Sequence, residues 1–248
     1  MKAIYDNIGT SYATTRCTDP KIAAQLYTEL EGASRIVNIG AGTGSYEPEG
    51  VDLVAVEPSA AMIAQRKPDA HPVVQAFAED LPFEDKSFSH AMTILSMHHW
   101  EDKPRAFREI NRVATDKFIA ITWDPKSEPF WLTRDYFPEI DVMDRAIFPE
   151  LAELHDYFDD VKISPLRIPD DCQDGFFAAF WKRPEAYLDG MVRQSMSPFA
   201  KVSNLSEGLQ KLTDDLASGA WASKNHALLE MSFFDAGYRL ISANVKNT

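Results

Sequence analysis

Residues 36–50, which read IVNIGAGTGSYEPEG, decide the fold. The stretch begins with Ile36–Ile39, a short apolar run that is typical of a buried strand. Glycines follow at Gly40, Gly42 and Gly44. Because glycine tolerates tight turns and lets the backbone approach a ligand closely, the stretch predicts a strand followed by a ligand-binding loop.

The same loop narrows the class of ligand. The fingerprint of dinucleotide binding places its third glycine at the position of Ser45. Only residues 45–50, which include Pro48, separate the loop from the next apolar run. The helix whose N-terminus would bind a pyrophosphate is therefore almost absent. The loop favours an adenosyl compound over NAD or FAD.

Strands alternate with helical segments over residues 18–124, which predicts an α/β fold with a doubly wound, mostly parallel sheet. Five strand-like runs lie in this part of the chain: RIVNIG (35–40), VDLVAVEP (51–58), PVVQAFAED (72–80), FSHAMTILSM (88–97) and KFIAITWD (117–124). Two later runs, VKISPLRIP (161–169) and GYRLISANV (237–245), bring the sheet to seven strands. In such sheets ligands bind beyond the carboxyl ends of the strands.

The chain has 248 residues, which suits a single domain with an inserted cap. Four parts are predicted: an N-terminal lid (1–17), a cofactor-binding core (18–124), a covering region rich in aromatic, acidic and proline residues (125–235), and a last strand (236–248). Within the covering region, residues 174–192 and 203–221 are predicted to be helical.

Composition excludes several classes of partner. The formal net charge of −13 argues against nucleic acid, because a nucleic-acid-binding surface must neutralise phosphates. The two cysteines, Cys17 and Cys172, have no metal-ligand spacing, so no metal site is predicted and a reduced, cytoplasmic setting is expected. No apolar stretch reaches the length of a membrane span. A monomer or a homodimer is expected.

An acidic residue lies at the end of the second predicted strand, where it can bind a ribose. Glu57 ends the second strand, 17 positions after Gly40. A carboxylate there can accept hydrogen bonds from both ribose hydroxyls. The combination of a glycine loop and this acid therefore indicates a nucleoside site more strongly than the glycines alone.

These residues resemble the class I S-adenosylmethionine-dependent methyltransferases, specifically the type 11 group that acts on small molecules. The resemblance rests on VNIGAGTG, VAVEPSAAMIA, AEDLPFEDKSFSHAMTILSMHHW and REINRVA, in that order, and covers residues 34–124. It implies that S-adenosylmethionine donates a methyl group to a small-molecule acceptor, which leaves S-adenosylhomocysteine.

The resemblance also implies cofactor-binding roles, running from the methionine part of the cofactor to its adenine. The implied contacts are Gly40, Ala41 and Gly42 with the methionine part, Glu57 with the ribose, Pro58 and Met62 with the adenine face, Ala78 and Glu79 with the adenine edge, Ser96 with the sulfonium end, and Tyr12 and Arg16 closing over the ligand. The chain departs from the family at Asn38, where an acid is common; the amide can still bind the cofactor but carries no charge.

Two histidines follow the fourth strand and are the candidate catalytic residues. Methyl transfer from a sulfonium requires mainly alignment and exclusion of water, and a base only if the nucleophile arrives protonated. His98 and His99 stand where a base would reach the methyl group. The alternative is that they are polar residues satisfied at a strand end.

Aromatic residues of the second half are candidates for the acceptor pocket. The four predicted substrate contacts are Trp123, Trp131, Phe177 and Trp181, whereas the alternative is that such residues belong to the core. Asp170, Asp171 and Asp174 are interpreted either as helix caps or as ligands of a cationic acceptor.

Three other functions remain open from the sequence. The protein would be a regulatory protein that binds S-adenosylmethionine without catalysis if a side chain filled the methyl position. It would be an S-methyltransferase for thiols or arsenic if Cys17 and Cys172 faced the active site. An NAD-dependent oxidoreductase is disfavoured by Ser45 and by the missing helix.

Overall fold

The computed structural model describes residues 16–246. Its nine strands are β1 (Arg35–Ile39), β2 (Asp52–Val56), β3 (Val73–Val74), β4 (Phe88–Ile94), β5 (Ala114–Trp123), β6 (Phe158–Pro165), β7 (Ile168–Pro169), β8 (Phe233–Phe234) and β9 (Tyr238–Val245). Seven of them form one sheet in the order β3-β2-β1-β4-β5-β9-β6, and β7 pairs with β8. Strands β1 to β5 are parallel, whereas β9 is antiparallel to β5 and β6. The predicted doubly wound, mostly parallel seven-stranded sheet is confirmed.

The helices in the described residues cover both faces of the sheet and the ends of its strands. They are α1 (Pro20–Glu29), α2 (Ala60–Ile63), α3 (Lys103–Val113), α4 (Trp131–Asp135), α5 (Pro138–Ile147), α6 (Leu154–Tyr157), α7 (Gly190–Gln194), α8 (Leu205–Ser218), α9 (Ala220–Lys224) and α10 (His226–Leu229). Short 3-10 turns lie at Met97–His99, Leu151–Glu153, Pro184–Leu188 and Ser197–Lys201. None of these helices is both long and apolar enough to cross a membrane.

Local signals place the helix starts. The side chain of Asp19 accepts hydrogen bonds from the backbone N–H groups of Lys21 and Ile22 (2.9 and 3.0 Å), so it caps α1. Ser59 caps α2, and Asp102 caps α3. Each of these caps joins residues that lie within one turn of each other.

The centre of the sheet positions the site. Asn38 of β1 lies opposite Ala55 of β2 on one side and Met92 of β4 on the other. The carboxyl ends of β1, β2 and β4 therefore meet at one edge, where the glycine loop begins. On one face of the sheet, the buried core is continuous with side chains of the covering region, including Trp131 and Trp181.

Two predictions about elements are wrong in extent. Only Val73 and Val74 of the third run join the sheet, so β3 is much shorter than predicted. Residues 174–192 do not form a continuous helix but turns, a 3-10 turn and the short α7. The reason is that large side chains of this segment are buried on several sides instead of along one helical stripe, as Trp181 and Tyr187 illustrate. The predicted helix at 203–221 corresponds to α8 and the start of α9.

Candidate functional site

The glycine loop is fixed by close packing at its start. Gly40 has φ 70°, and its N–H donates to the carbonyl oxygen of Val56 at 2.8 Å. A Cβ atom at this position would collide with the side chain of Ser96. Gly42, with φ 54°, also occupies the left-handed region that favours glycine. Both glycines are thus favoured by their positive φ. Gly40 is also required because a Cβ atom would not fit beside Ser96.

A buried ion pair holds the loop. Arg66 Nη2 lies 2.7 Å from Glu47 Oε2, and both side chains are only 4% exposed. Arg66 Nη1 also donates to the carbonyl oxygen of Gly42 at 3.3 Å. Asn38 Nδ2 donates to the second oxygen of Glu47 at 3.0 Å. Glu47, which follows the glycines, therefore has a structural role that the sequence analysis does not predict.

Glu57 lies against the loop at the end of β2. Its two carboxylate oxygens accept hydrogen bonds from Gly42 N–H (2.8 Å) and Ser59 N–H (2.9 Å). A carboxylate offers about four acceptor positions, so these two bonds orient the group without exhausting its capacity. The buried side chain thus stands at the strand end where a ribose is expected.

A cleft of about 370 Å³ opens beside the loop. We call it the glycine-loop cleft; it is lined by Arg16, Asn38, Gly40, Ala41, Gly42, Thr43, Ser45, Tyr46 and Ile94. Within the described residues, the Oδ1 atom of Asn38 is buried without a hydrogen-bond partner. A buried acceptor with no partner in the protein is costly, so it fits a ligand that donates a hydrogen bond, as the ammonium group of S-adenosylmethionine does. The residues present fit the implied cofactor.

The remaining predicted cofactor contacts in the described residues are not among those that line this cleft. Met62 packs toward Gly42, and Pro58 is half-buried. Ala78 is part of the core, and Glu79 accepts from the N–H groups that precede α3, those of residues 101 and 102. Ser96 bonds to Thr93 and to the carbonyl oxygen of residue 39. Tyr12 and most of the predicted lid lie outside the described residues.

Arg16 joins the cleft to the covering region. Its Nε atom donates to Asp174 Oδ1 at 2.7 Å, and the hydroxyl of Tyr46 donates to the other carboxylate oxygen at 3.0 Å. Asp174 is 1% exposed. Asp174 is therefore not a helix cap, as one interpretation held, but a partner of Arg16. Asp170 and Asp171 instead form ion pairs with lysines.

The two histidines lie on a second, larger cavity of about 660 Å³. This histidine cavity is lined by Arg16, Leu95, His98, His99, Asp144, Ile147, Phe148, Phe176, Phe177, Ser195, Met196, Ser197, Pro198, Lys201 and Tyr238. The rings of His98 and His99 are 3.8 Å apart, and His98 stacks on Phe148 at 4.2 Å. Burial lowers the pKa of His98 well below its usual value and that of His99 to about 4. Both rings are thus neutral at pH 7.

The four predicted substrate contacts divide into two groups. Phe177 lines the histidine cavity, and it also lines, with Trp123, an adjoining cavity of about 360 Å³. Trp131 and Trp181 are core residues instead, with indole N–H groups that donate to backbone carbonyl oxygens. We therefore leave these two tryptophans out of the acceptor pocket. Their aromatic character predicts that they are buried, but not whether they lie in the core or in the acceptor pocket.

The cysteines do not meet. Cys17 is exposed, and its thiol lies 3.0 Å from the carbonyl oxygen of Gln173. Cys172 is buried, and burial raises the pKa of its thiol. A buried thiol with a raised pKa is a poor nucleophile. This arrangement gives no support to thiol or arsenic chemistry.

A family model described as a methyltransferase domain matches residues 37–118. A crystal structure of a candidate methyltransferase from an antibiotic biosynthesis pathway of Anabaena variabilis is 33% identical, with a TM-score of 0.82, and the match covers 92% of this chain and 98% of that one. The fold is shared with phosphoethanolamine N-methyltransferase 2 of Haemonchus contortus in complex with S-adenosyl-L-methionine, at 16% identity, a TM-score of 0.55, and coverage of 93% of this chain and 54% of that one.

A curated relative is more distant. The 2-methyl-6-phytyl-1,4-hydroquinone methyltransferase 2 of Oryza sativa is 29% identical over 170 residues, which are 64% of this chain and 47% of that protein. The chain therefore spans about half the length of this curated relative.

Proposed function

This chain belongs to the class I S-adenosylmethionine-dependent methyltransferases of the type 11 group, and from that premise we propose that it methylates a small-molecule acceptor by in-line displacement. The observation that carries the proposal is the position of Arg16, which lines both the glycine-loop cleft and the histidine cavity. A cofactor in the first would thus adjoin an acceptor in the second. The histidine cavity combines polar and apolar side chains, as small-molecule sites do.

The chain's own residues would align and enclose the reactants. When bound, S-adenosylmethionine supplies an activated methyl group; the acceptor's lone pair forms the new bond to carbon, and the electrons of the carbon–sulfur bond leave with S-adenosylhomocysteine. Asn38 Oδ1 would accept from the ammonium group, and Glu57 from the ribose hydroxyls. Phe148 and Phe177 would exclude water from the acceptor.

The histidines would take a proton only from an acceptor that carries one. As neutral rings, His98 and His99 can each accept a proton, but their lowered pKa values make them weak bases. We therefore propose alignment as the main source of catalysis. A protein that binds the cofactor without turning it over is the alternative outcome.

The test of the function is a metabolite screen with labelled S-adenosylmethionine, followed by His98→Ala and His99→Ala on the acceptor found. We expect at least one variant to lose about 100-fold or more in turnover if the acceptor is a hydroxyl, while it still binds S-adenosylhomocysteine. His155→Ala, at an exposed position, is the control. Full turnover in both variants would make the histidines structural, and no labelled product from any metabolite would favour the non-catalytic alternative.

Glu57 provides a separate test of the cofactor site. We expect Glu57→Ala to weaken binding of S-adenosylhomocysteine about 10- to 100-fold, because charge-assisted hydrogen bonds to the ribose are worth about 1.5–3 kcal/mol. Titration calorimetry measures this directly. Glu49→Ala, which removes an exposed carboxylate nearby, should leave affinity unchanged.

The same substitution also removes the acceptor of Gly42 N–H and Ser59 N–H. Glu57→Gln removes the charge but keeps one oxygen for a backbone donor, so its comparison with Glu57→Ala shows how much of the loss comes from losing both backbone bonds. Equal affinity in wild type and Glu57→Ala would remove Glu57 from the cofactor site.

A further inference from the structure

Two cavities in the covering region meet at four side chains. The first is the histidine cavity, and the second, of about 360 Å³, is lined by Trp123, Phe130, Thr133, Asp141, Asp144, Phe148, Phe177, Ala178, Ala236 and Tyr238. Both are lined by Asp144, Phe148, Phe177 and Tyr238. These four residues, which we call the junction, come from α5, the residue after it, the turns of 174–183 and β9. The junction therefore combines one carboxylate with three aromatic rings.

The carboxylate of the junction has no partner within residues 16–246. Asp144 is half-buried, yet its carboxylate makes no hydrogen bond or ion pair with any of these residues. Asp141, one turn earlier on the same helix, is bonded to Arg145 at 2.6 Å. A partly buried charge without a partner is costly, so it indicates a ligand of opposite charge.

The other charged groups around the junction do not neutralise it. Arg16 is committed to Asp174 at 2.7 Å, and both histidines are neutral at pH 7 because burial lowers their pKa values. Lys201 attracts Asp144 but forms no ion pair with it and is itself exposed. None of these groups forms an ion pair with the carboxylate of Asp144.

We propose, on the basis of the methyltransferase function above, that the junction binds the ammonium group of the acceptor, which is a compact amine with an apolar body. Asp144 pairs with the ammonium N–H groups, and Phe148, Phe177 and Tyr238 present ring surfaces to the cation. Aromatic rings around a carboxylate are a favourable environment for a cation, because the ring face is electrostatically negative. The apolar body of the amine extends from the junction into the histidine cavity, which His98 and His99 also line.

The ammonium group serves recognition and not methyl transfer. A protonated nitrogen has no lone pair with which to attack a methyl group. The methylated atom is thus a different atom of the same molecule, held in the histidine cavity. An anionic acceptor would instead be repelled by the carboxylate of Asp144, which has no partner within residues 16–246.

Direct binding tests the proposal without requiring turnover. The probes are 2-phenylethylamine, 2-phenylethanol and phenylacetate, added to the protein saturated with S-adenosylhomocysteine and followed by calorimetry. We expect the amine to bind more tightly than the other two. Asp144→Asn should weaken the amine about 10- to 100-fold and leave the alcohol unchanged, as expected for a lost hydrogen bond between charged groups. Glu150→Gln removes a charge from an exposed ion pair with Lys126 and should change neither.

A pH series on the wild type supplies a test that does not depend on a variant. Burial raises the pKa of Asp144 to about 6. The carboxylate is therefore charged above that pH and becomes neutral below it, so amine affinity should fall as pH drops from about 7.5 to about 5, while alcohol affinity stays constant. Among the groups that face Asp144, burial raises the pKa of Tyr238, so its phenol stays neutral over this range. Burial lowers the pKa of His99 to about 4 and that of His98 well below its usual value, so both rings also stay neutral.

Three results would overturn the inference: no measurable binding of the amine, equal affinity for amine and alcohol, or tighter binding of phenylacetate, which would assign the cavity to anions through Lys201. These results leave the methyltransferase function intact, because they do not concern turnover. Conversely, if the amine binds through Asp144 but no metabolite is methylated, the proposed function fails and the ammonium site stands.

Discussion

Replacing Arg66 with methionine should destabilise the protein by about 3–5 kcal/mol, because it leaves a buried carboxylate without its charged partner. Arg66 and Glu47 are each only 4% exposed, and their closest atoms are 2.7 Å apart. The same guanidinium donates to the carbonyl oxygen of Gly42, so its loss also releases the glycine loop. Urea unfolding without cofactor measures the change.

Two further variants make the Arg66 result specific. The exposed pair of Arg105 and Asp80, 3.8 Å apart, should contribute about 0.5 kcal/mol or less, so Arg105→Met is the matched control. Combining Arg66→Met with Glu47→Leu should recover part of the lost stability, because it removes both charges instead of stranding one. The loop does not depend on this pair if Arg66→Met unfolds no earlier than Arg105→Met.

The sequence predicts features that depend on neighbouring residues, such as the strands, but not the pairing of Arg66 with Glu47. The strand ending at Gly40 and the acid Glu57 follow from local pattern and spacing, so the loop and the end of β2 were predicted correctly. Glu47 and Arg66 are 19 residues apart in the chain. No periodicity links two such positions, and Glu47 in the sequence indicated only an interrupted helix.

In the covering region, too, the sequence does not predict contacts between residues that are far apart in the chain. The caps Asp19 and Asp102 lie within a turn of the groups that they bond, so the local sequence is enough to indicate them. Asp174 was interpreted as a cap or a ligand for a cation, whereas its partner Arg16 is 158 residues away. Aromatic composition likewise predicted a pocket, but Trp131 and Trp181 belong to the core, since apolarity alone does not tell which neighbour covers a ring.

Asp174→Ala should also cost about 3–5 kcal/mol, because it removes the buried carboxylate that pairs with the nearly buried guanidinium of Arg16. The carboxylate of Asp174 accepts from Arg16, from the hydroxyl of Tyr46 and from the N–H of Cys17. It thus ties the start of the described chain and the glycine loop to the covering region. Urea unfolding measures the loss, and Asp171→Asn, which breaks an exposed pair with Lys21, should show no measurable change.

Loss of the Asp174 side chain should weaken cofactor binding as well as reduce the free energy of unfolding. Arg16 lines both the glycine-loop cleft and the histidine cavity, so its release changes the wall between cofactor and acceptor. We expect Asp174→Ala to weaken binding of S-adenosylhomocysteine, whereas Tyr46→Phe, which removes one hydroxyl from the same network, should cost only about 1 kcal/mol of stability. Unchanged cofactor affinity in Asp174→Ala, measured below its unfolding transition, would mean that the network supports the fold and not the site. Weaker binding in a fully folded variant would instead assign to Asp174 the task of holding Arg16 between the two reactants.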